Sequence, residues 1–264
     1  MRYALQRQYD GYQKTEVLWV QELDGINQFG PVIGPNPFDI AINKKYRLGH
    51  LVEYFYRYAL DMDESLQCVE QNLQFFNKKR TIGEIDFLIR SGIVIHHVEL
   101  VYKFYLFDSN VGHTALEHWV GPNRKDALVN KLDKIKSVQF PLIRNSQVSQ
   151  LLELKGYNVD QIEQSVCFKG QLFVPFGEFI DAAPLNQDCI VGWYLNFDSI
   201  DKFKDFMFYI PSKLNWLVAP FTSVLWISYS NAKKEIEELI KNQRSPMIWV
   251  KRNHLIQKGI IVWW

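Results

Sequence analysis

Cysteine is scarce: Cys68, Cys167 and Cys189 are the only three in 264 residues. They are widely spaced, odd in number and form no C-x-x-C pair, which argues against a disulfide framework or a cysteine zinc site and for a reducing compartment. Long apolar runs are missing too. The longest, Leu214 to Tyr229, is interrupted by Pro220 and is too short to span a bilayer, and Met1 to Tyr12 lacks the apolar stretch of a signal peptide. The expectation is a soluble, cytoplasmic protein with no membrane partner. Nor is there an excess of charge: 30 Lys+Arg against 29 Asp+Glu leave a formal charge of +1, so any site for a polyanion must be local. Walker A, G-x-G-x-x-G and G-x-S-x-G patterns are absent, which leaves nucleotide-hydrolase, dinucleotide and serine-hydrolase readings without support. Internal repeats and low-complexity linkers are absent as well.

What is present is the composition of a folded chain, with 47% hydrophobic and 15% aromatic residues, enough for one large α/β domain or two small ones. The first 45 residues, with the Gly-Pro punctuation of Phe29 to Phe38, read as a loop-rich lead-in. From Tyr46 to Leu60 the pattern is helical, with Leu48, Val52, Phe55 and Ala59 on one stripe and Glu53 and Arg57 spaced i,i+4. A short helix over Glu64 to Glu70 is expected next. Asn72 to Phe76 and Thr81 to Arg90 then read as a hairpin, followed by a long strand from Ile93 to Phe107. Asp126 to Val138 is a basic amphipathic helix. Beyond Pro141, helix-like pieces (Gln147 to Lys155, Asp160 to Gln164) alternate with strand-like ones (Val166 to Val174, Ile190 to Asn196, Val224 to Ser228). A helix from Asn231, its expected N-cap, to Lys241 precedes two final strands, Met247 to Val250 and Ile260 to Trp264.

The chemistry sits in the strands. Side chains alternate between faces, so Glu84 and Asp86 share one face of their strand, and His97, Glu99 and Lys103 share one face of the next. Charged groups inside such hydrophobic strands need partners or a task. Asp86 and Glu99, on neighbouring strands, are the pair expected to hold a hard divalent cation, because Mg²⁺ prefers oxygen ligands and keeps waters for its substrate. His96 and His97 point to opposite faces and do not chelate together. His113 and His118, five apart, lack helical zinc spacing.

The order Gly83-Glu84-Ile85-Asp86, a turn, then Val98-Glu99 with Lys103 following resembles the active-site hairpin of the PD-(D/E)XK nuclease superfamily. More closely, Arg47-Leu-Gly49 with Glu53, Asn72-Leu-Gln74, Arg80 to Phe87, Glu99 to Leu106 and Trp119-Val-Gly-Pro-Asn123 with Asp126 resemble the bacterial domain-of-unknown-function family 1853. The resemblance implies an α/β fold with a restriction-endonuclease-like core (helix, three-strand meander, helix, strand) over 46–142, between the lead-in 1–45 and an α+β region 143–264 that completes the sheet or forms a substrate lobe. It also implies a metal-dependent nuclease, with DNA or RNA as partner. Asp86, Glu99 and Glu53 would ligate Mg²⁺ or Mn²⁺, and Lys103 would position the attacking water or stabilise phosphate charge. Glu84 would stand behind these ligands on the substrate side, Lys125 and Lys131 would meet phosphates, and Gln139 would orient substrate.

One spacing departs from the superfamily. Its carboxylate and lysine usually lie two residues apart, whereas Glu99 and Lys103 are four apart, about 13 Å along a strand. That departure supports an alternative, a catalytically inactive nuclease-like module that binds nucleic acid or protein. A metal-free carboxylate hydrolase is a second alternative. Glu53 as a plain i,i+4 partner of Arg57, and Asp86, Glu99 and Lys103 as a structural cross-strand ion-pair set, are the corresponding structural readings.

Overall fold

The computed structural model describes residues 2–32, 34, 36–38, 46–78 and 80–264. In chain order, helix α1 (Arg2–Lys14) precedes the short strands β1 (Glu22–Leu23) and β2 (Ile26–Asn27), helix α2 (Leu48–Asp61), and the long strands β3 (Leu66–Asn77), β4 (Arg80–Ser91) and β5 (Val94–Phe107). Then come β6 (Trp119–Val120), α3 (Leu128–Lys134), α4 (Ser146–Leu154), β7 (Ile162–Pro175), β8 (Ile190–Asn196), β9 (Met207–Tyr209), α5 (Tyr229–Lys241), β10 (Met247–Arg252) and β11 (Leu255–Val262). The protein is therefore mixed α/β. No helix among the described residues is long and apolar enough to cross a membrane.

The chain divides into two compact units, each discontinuous in sequence. The first comprises Val17–Tyr102 and Asn130–Lys169; the second comprises Met1–Glu16, Lys103–Val129 and Gly170–Trp264. Strands β5 and β7 each begin in the first unit and end in the second.

In the first unit β3, β4 and β5 form an antiparallel meander, and β7 follows β5 in the strand order. The β4–β5 turn is tight because Gly92 adopts φ +58°, a conformation that costs glycine little. The meander contributes Phe75, Ile85 and Leu88 to a core completed by Leu142, Ile143 and, from α4, Val148 and Leu152. The apolar stripe of α2 is buried at Val52, Phe55 and Ala59, and its Tyr56 ring meets Phe87 edge-on at 4.9 Å.

In the second unit the strand order is β7-β8-β11-β10-β9, with β8 parallel to both β7 and β11 and the remaining pairs antiparallel, so the sheet is mixed. Helix α5 buries Ala232 and Ile236 in a core with Phe208, Ile248, Val250 and Ile261. Its N-cap is Ser228, whose Oγ accepts from Asn231 N, so the expected cap at Asn231 lies three residues too late.

Three other expectations are corrected. Residues Glu64 to Glu70 are not a helix: from Leu66 they belong to β3, because the long strand β4 offers partners as far as Ser91, opposite Leu66. The lead-in is not all loop, since Arg2–Lys14 is helical and buries Tyr9 and Tyr12. Val224 to Ser228 forms no strand, contributing one bridge from Ile227 to Phe208.

Gly11 shows how closely α1 packs in its unit: a Cβ there would lie 2.1 Å from the backbone oxygen of Leu217. Alanine normally favours a helix by about 1 kcal/mol over glycine. Here the backbone clash outweighs that gain, and Gly11→Ala is expected to lose about 1–3 kcal/mol in chemical denaturation; a gain in stability would contradict this packing.

Candidate functional site

The β4–β5 ladder runs from Ser91↔Val94 to Phe87↔Val98. Asp86 and Glu99 are the next residues on the two strands, and there Asp86 Oδ2 accepts a hydrogen bond from Leu100 N at 2.9 Å. On the other side of β4, Gln71 faces Phe87 and Leu73 faces Ile85, so Asn72 stands opposite Asp86. Asn72, Asp86 and Glu99 thus stand on three successive strands of the meander.

Glu99 is completely buried, as is His97, two residues earlier on the same strand face. His97 Nε2 lies 2.9 Å from Glu99 Oε1. The proton on that bond can be assigned: Gln164 Nε2 donates to the Phe140 carbonyl at 2.6 Å and also lies 3.1 Å from His97 Nδ1. Nδ1 is therefore the acceptor, and Nε2–H donates to Glu99. The other oxygen, Glu99 Oε2, accepts from Gln139 Nε2.

Gln139 also accepts from Lys131 Nζ at 2.8 Å. Eight residues would overshoot two regular turns by about 80°. Helix α3 instead passes at Ile135–Gln139 into a wider π-type turn, which absorbs the extra residue and brings Gln139 back into phase with Lys131.

Burial, followed by the negative charge of Glu99, pushes the Asp86 carboxyl up to about 8. The Leu100 N–H and the Lys131 ammonium act against this rise, and the Glu53 charge adds to it. Glu53 projects from α2. Its Oε2 accepts from Asn72 Nδ2 at 3.3 Å and lies 3.4 Å from His50 Nδ1. Asn72 reaches it from a left-handed backbone, φ +51°, within β3, a conformation asparagine tolerates better than most residues. Arg57 pairs with Asp61 at 2.9 Å, so the expected i,i+4 partnership with Glu53 is replaced by one toward the helix C-terminus.

Of the residues expected at the site, the first unit brings together Asp86, Glu99, Glu53, Lys131 and Gln139. Glu84 accepts from Gln74 Nε2 at 2.7 Å on the exposed sheet surface. Lys103 belongs to the second unit, where its ammonium pairs with Asp126 at 2.5 Å. Lys125, in that unit too, is exposed. His97 is the member that sequence reasoning passed over. Its signal was its place two residues before Glu99 on a strand of period two.

Among the described residues no group of three or more His, Cys, Asp and Glu side chains is arranged to hold a metal ion. Asp86 and Glu99 stand on neighbouring strands close enough for the charge of one to act on the other, and Mg²⁺ is commonly held by one or two carboxylates together with waters and substrate phosphate. Carboxylate oxygens are the donor chemistry such an ion takes, and Glu99 would have to release His97 or Gln139 to offer one.

An α/β unit carrying a buried carboxylate pair with a lysine and a glutamine is the class of protein these features define. Residues 8–260 match the family described as a domain of unknown function (DUF1853), and the chain belongs to that family. No curated protein and no solved structure matches it.

The raised carboxyl sets a pH dependence with a definite sign. Between the unfolded value near 3.9 and about 8, the folded state holds a proton on Asp86 that the unfolded state has lost. Stability from this group therefore falls as pH rises through that window and levels off above about 8. Asp86→Asn, which keeps an acceptor for Leu100 N, is expected to match wild type near pH 4.5 and to exceed it by about 2 kcal/mol at pH 8.5 in metal-free buffer, a melting-temperature gain of about 4–8 °C. An equal difference at both pH values would contradict the assignment.

Proposed function

We propose that the protein is a metal-dependent nuclease built on a restriction-endonuclease-like core. The order α2, then β3, β4 and β5 as an antiparallel meander, then α3 supports this reading. The observation that carries it is the meeting of Asp86 and Glu99 on neighbouring strands, away from bulk water, with Lys131 and Gln139 from the following helical segment set against them.

Asp86 and Glu99 would hold Mg²⁺ or Mn²⁺, with Glu53 supplying further negative charge from α2. When bound, such an ion lowers the pKa of a coordinated water and neutralises phosphate charge. The residues of the chain do the rest. His97 and Gln139 fix the Glu99 carboxylate in one orientation, so no reorganisation is needed when substrate arrives. Lys131, whose charge already acts on Asp86, is placed to carry the charge that develops on the phosphoryl oxygens. It takes the part that the superfamily pattern would give to Lys103, which is held by Asp126.

A specific observation favours a second reading, the inactive nuclease-like module. Glu99 has no exposed surface and both its oxygens already accept hydrogen bonds. Calorimetric titration of Mn²⁺ separates the two. The nuclease reading expects binding by wild type, its loss in Asp86→Ala, and metal-dependent cleavage of DNA or RNA that falls with it. Lys131→Ala should lower kcat by about 10²-fold or more, while Lys103→Ala leaves it nearly unchanged. Absence of Mn²⁺ binding by the wild type, with or without nucleic acid, would leave the module. Equal loss of activity in the two lysine variants would overturn the role of Lys131.

A further inference from the structure

We propose that the cleft beside Glu53 seats an unpaired nucleotide, so that the substrate is a single strand or a frayed end. This deepens the nuclease reading and rests on it for the identity of the ligand as a nucleic acid. The cleft, in the first unit, has a volume of about 350 Å³ and is lined by Tyr46, His50, Glu53, Tyr54, Arg57 and Asn72. That volume lies at the small end of ligand-binding clefts, which run from about 300 to 1,000 Å³. It suits one nucleotide.

Three features point to a base as occupant. The first is an aromatic platform: the Tyr46 and Tyr54 rings lie 4.9 Å apart at 60°, and their hydroxyls share a 3.1 Å hydrogen bond that holds the pair in place. Tyr54 is 41% exposed on the outer face of α2. Aromatic side chains left in solvent beside a cleft are how proteins stack nucleobases without regard to sequence, and a base inside a duplex has both faces covered by its neighbours.

The second feature is the wall. Glu53, whose charge reaches Asp86, is held by Asn72 and His50, and both of these line the same cleft. A base on Tyr54 would therefore place the phosphate linked to it toward the carboxylate pair. The Asn72 amide lines the cleft and donates to Glu53 from a residue with a left-handed backbone.

The third feature is charge. A protein that tracks duplex DNA draws most of its affinity from phosphate contacts. This chain has a formal charge of only +1, and the cleft offers Arg57 and His50 against Glu53, with Arg57 already paired to Asp61. Stacking on an exposed ring adds affinity that does not come from phosphate contacts.

The test uses the full chain and 8-nucleotide oligomers of DNA and of RNA carrying one 2-aminopurine, each alone and annealed to its complement. Fluorescence quenching reports stacking and affinity, first in EDTA so that nothing is cleaved, then with Mg²⁺. Wild type should bind the single strand at least about tenfold more tightly than the duplex. Tyr54→Ala should weaken single-strand binding by about tenfold, with the quench reduced, while Tyr54→Phe, which keeps the ring, stays within about threefold of wild type. Tyr54→Ala should remain folded by circular dichroism and bind Mn²⁺ as wild type does. Single-strand binding that is absent under both conditions, equal for single strand and duplex, or unaffected by Tyr54→Ala overturns the cleft assignment, even if cleavage proceeds and the nuclease reading stands. Stacking that depends on Tyr54, in a protein that binds no Mn²⁺ and cleaves nothing, upholds the cleft and overturns the nuclease reading.

Discussion

The first unit is organised by one constraint: the Glu99 carboxylate lies in the middle of a strand with no access to water. An unpartnered carboxylate there would cost several kcal/mol, so its surroundings have to supply donors. His97 gives one and Gln139 the other. Each donor is itself fixed. Gln164 ties His97 to the Phe140 carbonyl, and the widened turn at Ile135–Gln139 sets Gln139 in phase with Lys131. A hydrogen-bonded chain thus links β5, β7 and the end of α3 through one side chain.

The same carboxylate governs its neighbour. Asp86 is pushed up to about 8 because it is desolvated beside a negative charge, so in the absence of a cation the pair retains a proton near neutral pH. A divalent cation between the two would replace that proton and take up the charge that the pair cannot hold alone. In the proposed nuclease, proton and metal would compete for one place. Glu53 extends the negative region toward the Tyr46–Tyr54 cleft, so the electrostatic centre and the proposed nucleotide platform share a wall.

Much of this was legible in the sequence, for a simple reason: alternation in long strands is a strong signal. The β4–β5 hairpin and the placing of Asp86 and Glu99 on neighbouring strands follow from period two and a Ser-Gly turn. The stripe on α2 and the basic helix that becomes α3 follow from period 3.6. What failed was local pattern overruled by distant partners. Glu64 to Glu70 is too short to declare itself, and pairing with β4 decides its conformation. Helix α1 buries tyrosines where aliphatic residues would have marked a face. Asp126, the partner of Lys103, lies 23 residues away, and spacing on a strand carries no information about it. His97 was visible as a strand neighbour of Glu99, yet its role depends on Gln164, 67 residues further on. The two units interleave segments from across the chain, which no scan of composition can reveal.

The proposed divalent-cation site at Asp86 and Glu99 can be seen or missed directly. It is tested most directly by anomalous diffraction from crystals of the wild-type protein soaked in Mn²⁺, beside crystals of Glu99→Gln treated identically. A manganese peak is expected within coordination distance of the Asp86 and Glu99 carboxylates in the wild type, about 2.0–2.3 Å from the nearest oxygens, and no peak there in the variant. A wild-type map with Glu99 still closed between His97 and Gln139, and no manganese beside Asp86 at millimolar concentration, would contradict it.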